Sequence, residues 1–301
     1  VATDTAVRQT EALVASGGRR RDVRGQIFHA LILSAVVIAI ITLGALLIHA
    51  AYTGRGRLDW NLIRNFPSTL NPTTSGMQSA LVGTFFVMLG VLVTVVPLGT
   101  SAAIYLEEYA DGTRWYNRLI ELNIQNLAAV PSIVFGILGL AFIVRGPVGI
   151  GPIAFAGSLT LTMLVLPTVI LAAREALRAV PPSIRDASLA LGATKWQTIR
   201  RQVLPASIPG IATGTILALS RAIGETAPLL LVGATTFVLY NPESPFSGAY
   251  TALPVQIFNW AVRPQEDFRI LAAAGIILLM GALLLMNSFA IWLRNRYETK
   301  W

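Results

Sequence analysis

Cysteine is absent from this chain and histidine occurs only twice. The first absence excludes disulfides, thiolate metal sites and thiol redox chemistry. The two histidines, His29 and His49, stand at opposite ends of one apolar run, so a histidine metal centre is not expected and no cofactor is assigned to the chain. Charge is scarce as well: Asp, Glu, Lys and Arg make up 13% of the residues, against about a quarter in an ordinary soluble domain. A phosphate-cradling Gly-x-x-x-x-Gly-Lys-Ser/Thr loop is also missing, because the glycine-rich stretch from Arg145 to Pro152 has no lysine. Hydrolysis of ATP by this chain alone is therefore not expected.

What is abundant is apolar surface. Hydrophobic residues make up 54% of the chain and the mean hydropathy is +0.64, too apolar for a soluble domain with one core. Several runs reach the roughly 20 residues that cross a bilayer. The chain reads as an all-α polytopic membrane protein of six spans, at about 27–51, 77–106, 122–144, 153–173, 207–239 and 270–293. A polar tail (1–26), a transmembrane domain (27–294) and a short tail (295–301) follow from those bounds. Arg19, Arg20, Arg21 and Arg24 precede the first run as in a signal peptide. That run is too long for a signal core and more spans follow, so it reads as a retained anchor.

An even number of spans puts both termini on one side. With both termini cytoplasmic, 16 of the 23 basic residues fall in inner segments and 6 in outer ones, with one arginine inside a span. The positive-inside rule favours that orientation. The same distribution explains the pI of about 10.4 without nucleic acid, since the basic residues are spread over loops and not gathered into one aromatic-flanked patch.

The longest inner segment, 179–205, carries a recognisable pattern. Pro181 and Pro182 end one helix, Ser183 and Asp186 have capping-box spacing for a second, and Gly192 stops it. Thr194 and Gln197 repeat the box for a third helix running towards Leu204 and Pro205. A helix, a glycine turn and a helix with small residues (Ala187, Ala190, Ala193) and basic ones (Lys195, Arg200, Arg201) suit docking in a partner's groove. In the fifth span, Arg221 and Glu225 are spaced i, i+4, on one face of a helix. A charge near mid-membrane costs about 2.5 to 3.5 kcal/mol, so such a pair points to a substrate path or a buried ion pair. Arg221 offers a planar fork of donors to an oxyanion and cannot deprotonate. Glu225 can accept from a protonated anion oxygen or partly neutralise Arg221. Proline at 97, 131 and 167 reads as packing kinks.

The run Asp186-Ala187-Ser188, then Gly192, then Leu204-Pro205 resembles the cytoplasmic "EAA" loop of ABC importer permeases. Asp186 stands where that family usually has Glu, and Gln202 where Ile is usual. Together with Ala129–Leu140 (AVPSIVFGILGL) and Ser220–Gly233 (SRAIGETAPLLLVG), it makes the chain similar to the permeases of the Pst phosphate importer, A-type, over most of residues 77–293. The resemblance implies the type I (MetI-like) importer fold in a bacterial inner membrane. It implies a coupling role for Asp186, Ala187, Ser188, Gly192, Leu204 and Pro205, and a functional role for Arg221. It also implies three partners: a second permease of the same fold, two copies of an ATPase that holds ATP-Mg, and an extracytoplasmic phosphate-binding protein. Permeases for sulfate or molybdate share the cytoplasmic loop and remain an alternative. A secondary transporter would have no ATPase on 183–205, and a membrane enzyme would need an interfacial cluster of acids, histidines or a nucleophile that the sequence lacks.

Overall fold

The computed structural model describes residues 23–234 and 237–297, and every described element is helical. The polar tail expected at 1–26 lies outside the described residues up to position 22, and at Val23 a helix has already begun. The chain falls into two compact units, divided between Tyr52 and Thr53.

The described part of the first unit is helix α1 (Val23–Gly54) as far as Tyr52. Its 32 residues at about 1.5 Å each reach about 48 Å, more than the ~30 Å hydrocarbon core. It is apolar all round, as a lipid-embedded helix is.

The second unit begins with a 3-10 turn at Arg55–Arg57 and the short α2 (Trp60–Arg64), capped by the Asp59 carboxylate on the Leu62 amide. Helix α3 (Gln78–Ile104) continues into a π turn at Tyr105–Tyr109. Then come α4 (Trp115–Ala128) and α5 (Ser132–Leu138), the latter extended by a π turn at Gly139–Val144. Between α3 and α4, the Thr113 hydroxyl and amide hold the exposed Asp111 carboxyl below its usual pKa. Helix α6 (Ala154–Arg178) leads to the inner segment: α7 (Pro182–Ala190), α8 (Lys195–Thr198) and a π turn at Ile199–Val203. Helix α9 (Leu204–Gly224), the short α10 (Ala227–Leu231), α11 (Leu253–Ala261) and α12 (Glu266–Tyr297) complete the unit.

Among the described residues, five stretches are long and apolar enough to cross a membrane, and the bent pair α4–α5 makes a sixth if it is counted as one span. The third expected span, 122–144, is thus corrected. It is not one helix but two segments bent by 107° at Ala129–Pro131. Pro131 cannot donate an amide and pushes Val130 out of helical backbone, so the helix stops there. Pro97 and Pro167, by contrast, lie inside continuous helices. The fifth span, 207–239, is also corrected. Helix α9 ends at Gly224, and the apolar residues beyond it serve the protein core: Leu229, Val232 and Ala234 join a central cluster with Val91, Val165 and Leu219.

Helices α3 and α6 form the most extensive pair of this cluster. Their hydroxyls meet in the middle, Thr94 Oγ1 with Thr162 Oγ1 at 2.6 Å, and Ser158 Oγ donates to the Val87 carbonyl at 3.0 Å. A second cluster gathers α2, α11 and α12 around Leu62, Trp260 and Leu271. A third lies at the inner end around Ala103, Leu177, Val180, Val203 and Ile211.

Candidate translocation site and docking surface

Helix α9 packs antiparallel against α6 through two glycines. A Cβ on Gly210 would overlap Ala176, and one on Gly214 would overlap Ala172. Continued up the helix, that register brings Arg221 level with Val165, near the middle of the Ala154–Arg178 helix. That level lies about halfway along α6.

The pair itself differs from the expected helical i, i+4 geometry. Glu225 has left the helix: its backbone is extended (φ −75°, ψ 117°), and its amide donates back to the Ala222 carbonyl at 3.2 Å. Gly224, with open space where a side chain would stand, ends the helix there. Arg221 still meets Glu225, Nε to Oε1 at 3.5 Å, with side chains 44% and 17% exposed. Charge-assisted hydrogen bonds are shorter, about 2.7 to 2.9 Å, so this contact leaves most of the guanidinium fork open to another acceptor. Arg221 also lies in the last turn of α9, where a cation complements the helix dipole.

One residue near the pair escaped the sequence reading. Ser220 Oγ lies 2.9 Å from the Ile216 carbonyl and 2.6 Å from Asn287 Oδ1 on α12. A lone amide inside the final apolar run, between Met286 and Ser288, was the available signal.

On the inner side, α7 begins one residue before the expected cap. Pro182 occupies the first helical turn and Pro181 the N-cap position, with no side-chain cap from Ser183. Proline suits that place because its fixed φ is helical and its missing amide would be unbonded anyway. Gly192 ends α7 at φ +83°, a conformation that favours glycine. Thr194 and Gln197 make the expected reciprocal box, at 3.3 and 2.9 Å. The third helix does not stop at Leu204 and Pro205. It runs on through the π turn into α9, where the Leu204 amide reaches five residues back to the Ile199 carbonyl.

Ala187 and Ser188 line a surface pocket of about 470 Å³ with Leu191, Ala193, Gln197 and Arg201. Ser188 Oγ bonds Thr198 Oγ1 at 2.9 Å, tying α7 to α8. Leu191 is 90% exposed and Trp196 52%, apolar groups presented to whatever occupies that face. Asp186 and Gly192 are exposed beside the pocket, whereas Leu204 is half-buried on the inner apolar cluster and Pro205 stands apart. Two of the six residues expected to couple thus line the pocket, two adjoin it in sequence, and two belong to the following helix.

Residues 95–299 match the family model described as "binding-protein-dependent transport system inner membrane component". The chain is 32% identical over 272 residues to the probable ABC transporter permease protein YqgI of Bacillus subtilis, covering 87% of this chain and 91% of that protein. It is 35% identical over 227 residues to the phosphate transport system permease protein PstA of Yersinia pestis, covering 73% and 72%. In fold it is similar to a chain of a bacterial ABC transporter that imports the acidic polysaccharide alginate, with a TM-score of 0.65 and 17% identity over 91% of this chain and 96% of that one. A similar match is made with the MetNI methionine ABC transporter, with a TM-score of 0.55 and 20% identity over 75% of this chain and 95% of that one. By sequence match and fold together, the chain belongs to the family of binding-protein-dependent transport system inner membrane components, as a multi-pass ABC transporter permease.

Proposed function

We propose that this chain is the membrane-spanning permease subunit of an ATP-driven inorganic phosphate importer. It forms half of the pathway with a second permease of the same fold, both its termini are cytoplasmic, and it holds no cofactor and catalyses no reaction itself. ATP-Mg is held and hydrolysed by two copies of a partner ATPase, one docked on the pocket between α7 and α8 and the other on the second permease. An extracytoplasmic binding protein delivers the anion.

The observation that carries this reading is Arg221, a half-exposed arginine whose ion pair to Glu225 is long. A fixed cation that is already fully paired would have no donors for a substrate. One held loosely by a carboxylate can exchange that partner for a tetrahedral oxyanion, presenting two N–H groups to two oxygens. Glu225 then accepts from the protonated oxygen of hydrogen phosphate and partly neutralises Arg221, so the anion is released and not trapped. The PstA relatives supply the anion's identity as phosphate. Closure of the ATPase pair drives α7, the pathway opens outward to receive phosphate, and hydrolysis restores the inward-facing state.

The test is uptake of labelled phosphate, with labelled sulfate in parallel, in cells lacking their own high-affinity systems but supplied with this chain and its partner subunits. Phosphate uptake that is lost in Arg221→Gln while the complex still assembles is the expected outcome. Sulfate uptake in its place would overturn the substrate, and unchanged phosphate uptake in the variant would reduce Arg221 to a packing residue.

A further inference from the structure

The inner rim of the second unit holds a chain of ion pairs that neither the pathway nor the docking pocket uses. The last turn of α3 is a π turn, closed by the Ala110 amide on the Tyr105 carbonyl at 2.8 Å, and it carries Glu107 and Glu108 side by side. Glu107 receives Nε and Nη2 of Arg178 at 3.0 Å each and lies 3.5 Å from Arg174 Nε. Arg174 in turn reaches Glu121 of α4 at 2.9 Å.

Glu108 is 8% exposed and is held by Arg185, whose Nη2 and Nε lie 2.9 and 3.2 Å from the same carboxylate oxygen. The same guanidinium donates to the carbonyls of Val180 at 2.6 Å and Leu177 at 2.8 Å, closing the end of α6. One side chain thus joins α3, the end of α6 and α7, and it immediately precedes Asp186 on the docking helix. Helix α7 buries none of its residues, so apolar packing alone ties it down weakly, through a half-buried Ile184 on the inner cluster. A planar fork making four bonds in three directions fixes orientation as well as distance, which an ammonium on a flexible stem cannot do.

We propose that Arg185, acting through Glu108, is the positioning residue that makes α7 move as one body with α3 and the inner end of α6. A displacement imposed at the docking pocket is then delivered to the helices that pack around Arg221, and is not absorbed at the Pro181–Pro182 turn. This rests on the importer reading above, in that a partner ATPase must do the pushing.

The test uses the whole complex in proteoliposomes and reads ATP hydrolysed per anion imported. Wild type is measured with phosphate and with sulfate, so an error in the substrate shows there, and the variants are compared on whichever anion wild type imports. Arg185→Gln is expected to lower transport at least tenfold while ATP hydrolysis stays within about twofold, raising the ratio; Arg185→Lys should fall between the two. A normal ratio in Arg185→Gln, or transport and hydrolysis falling together as the ATPase dissociates, overturns the proposal.

A second measurement is independent of how well that variant folds. The chain has no cysteine, so Arg185→Cys with Glu108→Cys gives one reactive pair. Bridging that pair with a short bis-methanethiosulfonate reagent is expected to restore transport lost in the unbridged double variant, and reductant to abolish it again. Transport left unchanged or lowered by the bridge would mean that α7 moves independently of α3.

Discussion

At the scale of single residues, the central question is what Arg221 does with a fork that Glu225 only partly occupies. An arginine at the mid-membrane depth proposed for it costs about 2.5 to 3.5 kcal/mol to insert, and a long ion pair to one carboxylate returns little of it. If the remaining donors take two phosphate oxygens together, charge alone is not enough. Arg221→Lys keeps the charge and gives up the paired geometry, so it should lower the transport rate by about tenfold, roughly 1.4 kcal/mol in the barrier. Concentration dependence of uptake in proteoliposomes checks this, and a wild-type rate in Arg221→Lys would show that a point charge suffices. The Ser220–Asn287 contact makes a different demand. Hydrogen bonds between membrane helices average about 0.6 kcal/mol, so Asn287→Leu should shift thermal unfolding of the purified complex only slightly. A shift of many degrees would assign Asn287 a larger structural role.

At the scale of elements, the docking turn depends on one backbone conformation. Gly192 has φ +83° with nothing within 4 Å of where a Cβ would stand, so backbone strain and not crowding governs substitution there. Gly192→Val should cost about 1 to 2 kcal/mol in that turn, whereas Gly192→Asn, a residue that visits the left-handed region, should be nearly neutral. Retention of the ATPase on the permease during purification reads the difference, and equal losses in both variants would point to contact and not to conformation. The small residues around this turn and the Thr194–Gln197 box were legible in the sequence because capping and glycine stops are local. The third and fifth spans were not, because hydropathy sums apolar content without regard to direction. Leu122 to Val144 reads as one run although the chain turns by 107° within it, and the clue was the polar face of α4 at Asn117, Glu121 and Gln125. Beyond Gly224, Leu229, Val232 and Ala234 are apolar because they fill the protein's own core, a long-range fact that no window of sequence contains. The arginine linkages to Glu107 and Glu108 were missed for the same reason: each joins positions more than 65 residues apart, so only folding brings them together.

At the scale of the whole molecule, the bent pair decides the parity of crossings and hence the sidedness of the ends. A re-entrant loop would return α5 to the side from which α4 left, giving five crossings and termini on opposite faces. The contacts describe a different course. Glu121 of α4 meets Arg174, close to where α6 ends, whereas a Cβ on Gly139 beyond α5 would overlap Thr160, close to where α6 begins at Ala154. The pair therefore passes from one end of α6 to the other and is counted as one span, which brings the candidate spans to six with α1, α3, α6, α9 and α12. In the proposed orientation six crossings put the ends on one side, and the excess of basic residues in the segments assigned to that side, 16 against 6, favours the cytoplasm. A fluorescent protein that matures only in the cytoplasm should report at either end of the chain, and alkaline phosphatase, active only outside, at neither. Fusion after Val148, in the loop that joins α5 to α6, should give the reverse pattern. Phosphatase activity at one end, with fluorescence at the other, would restore the re-entrant course and require α4–α5 to turn back within the membrane.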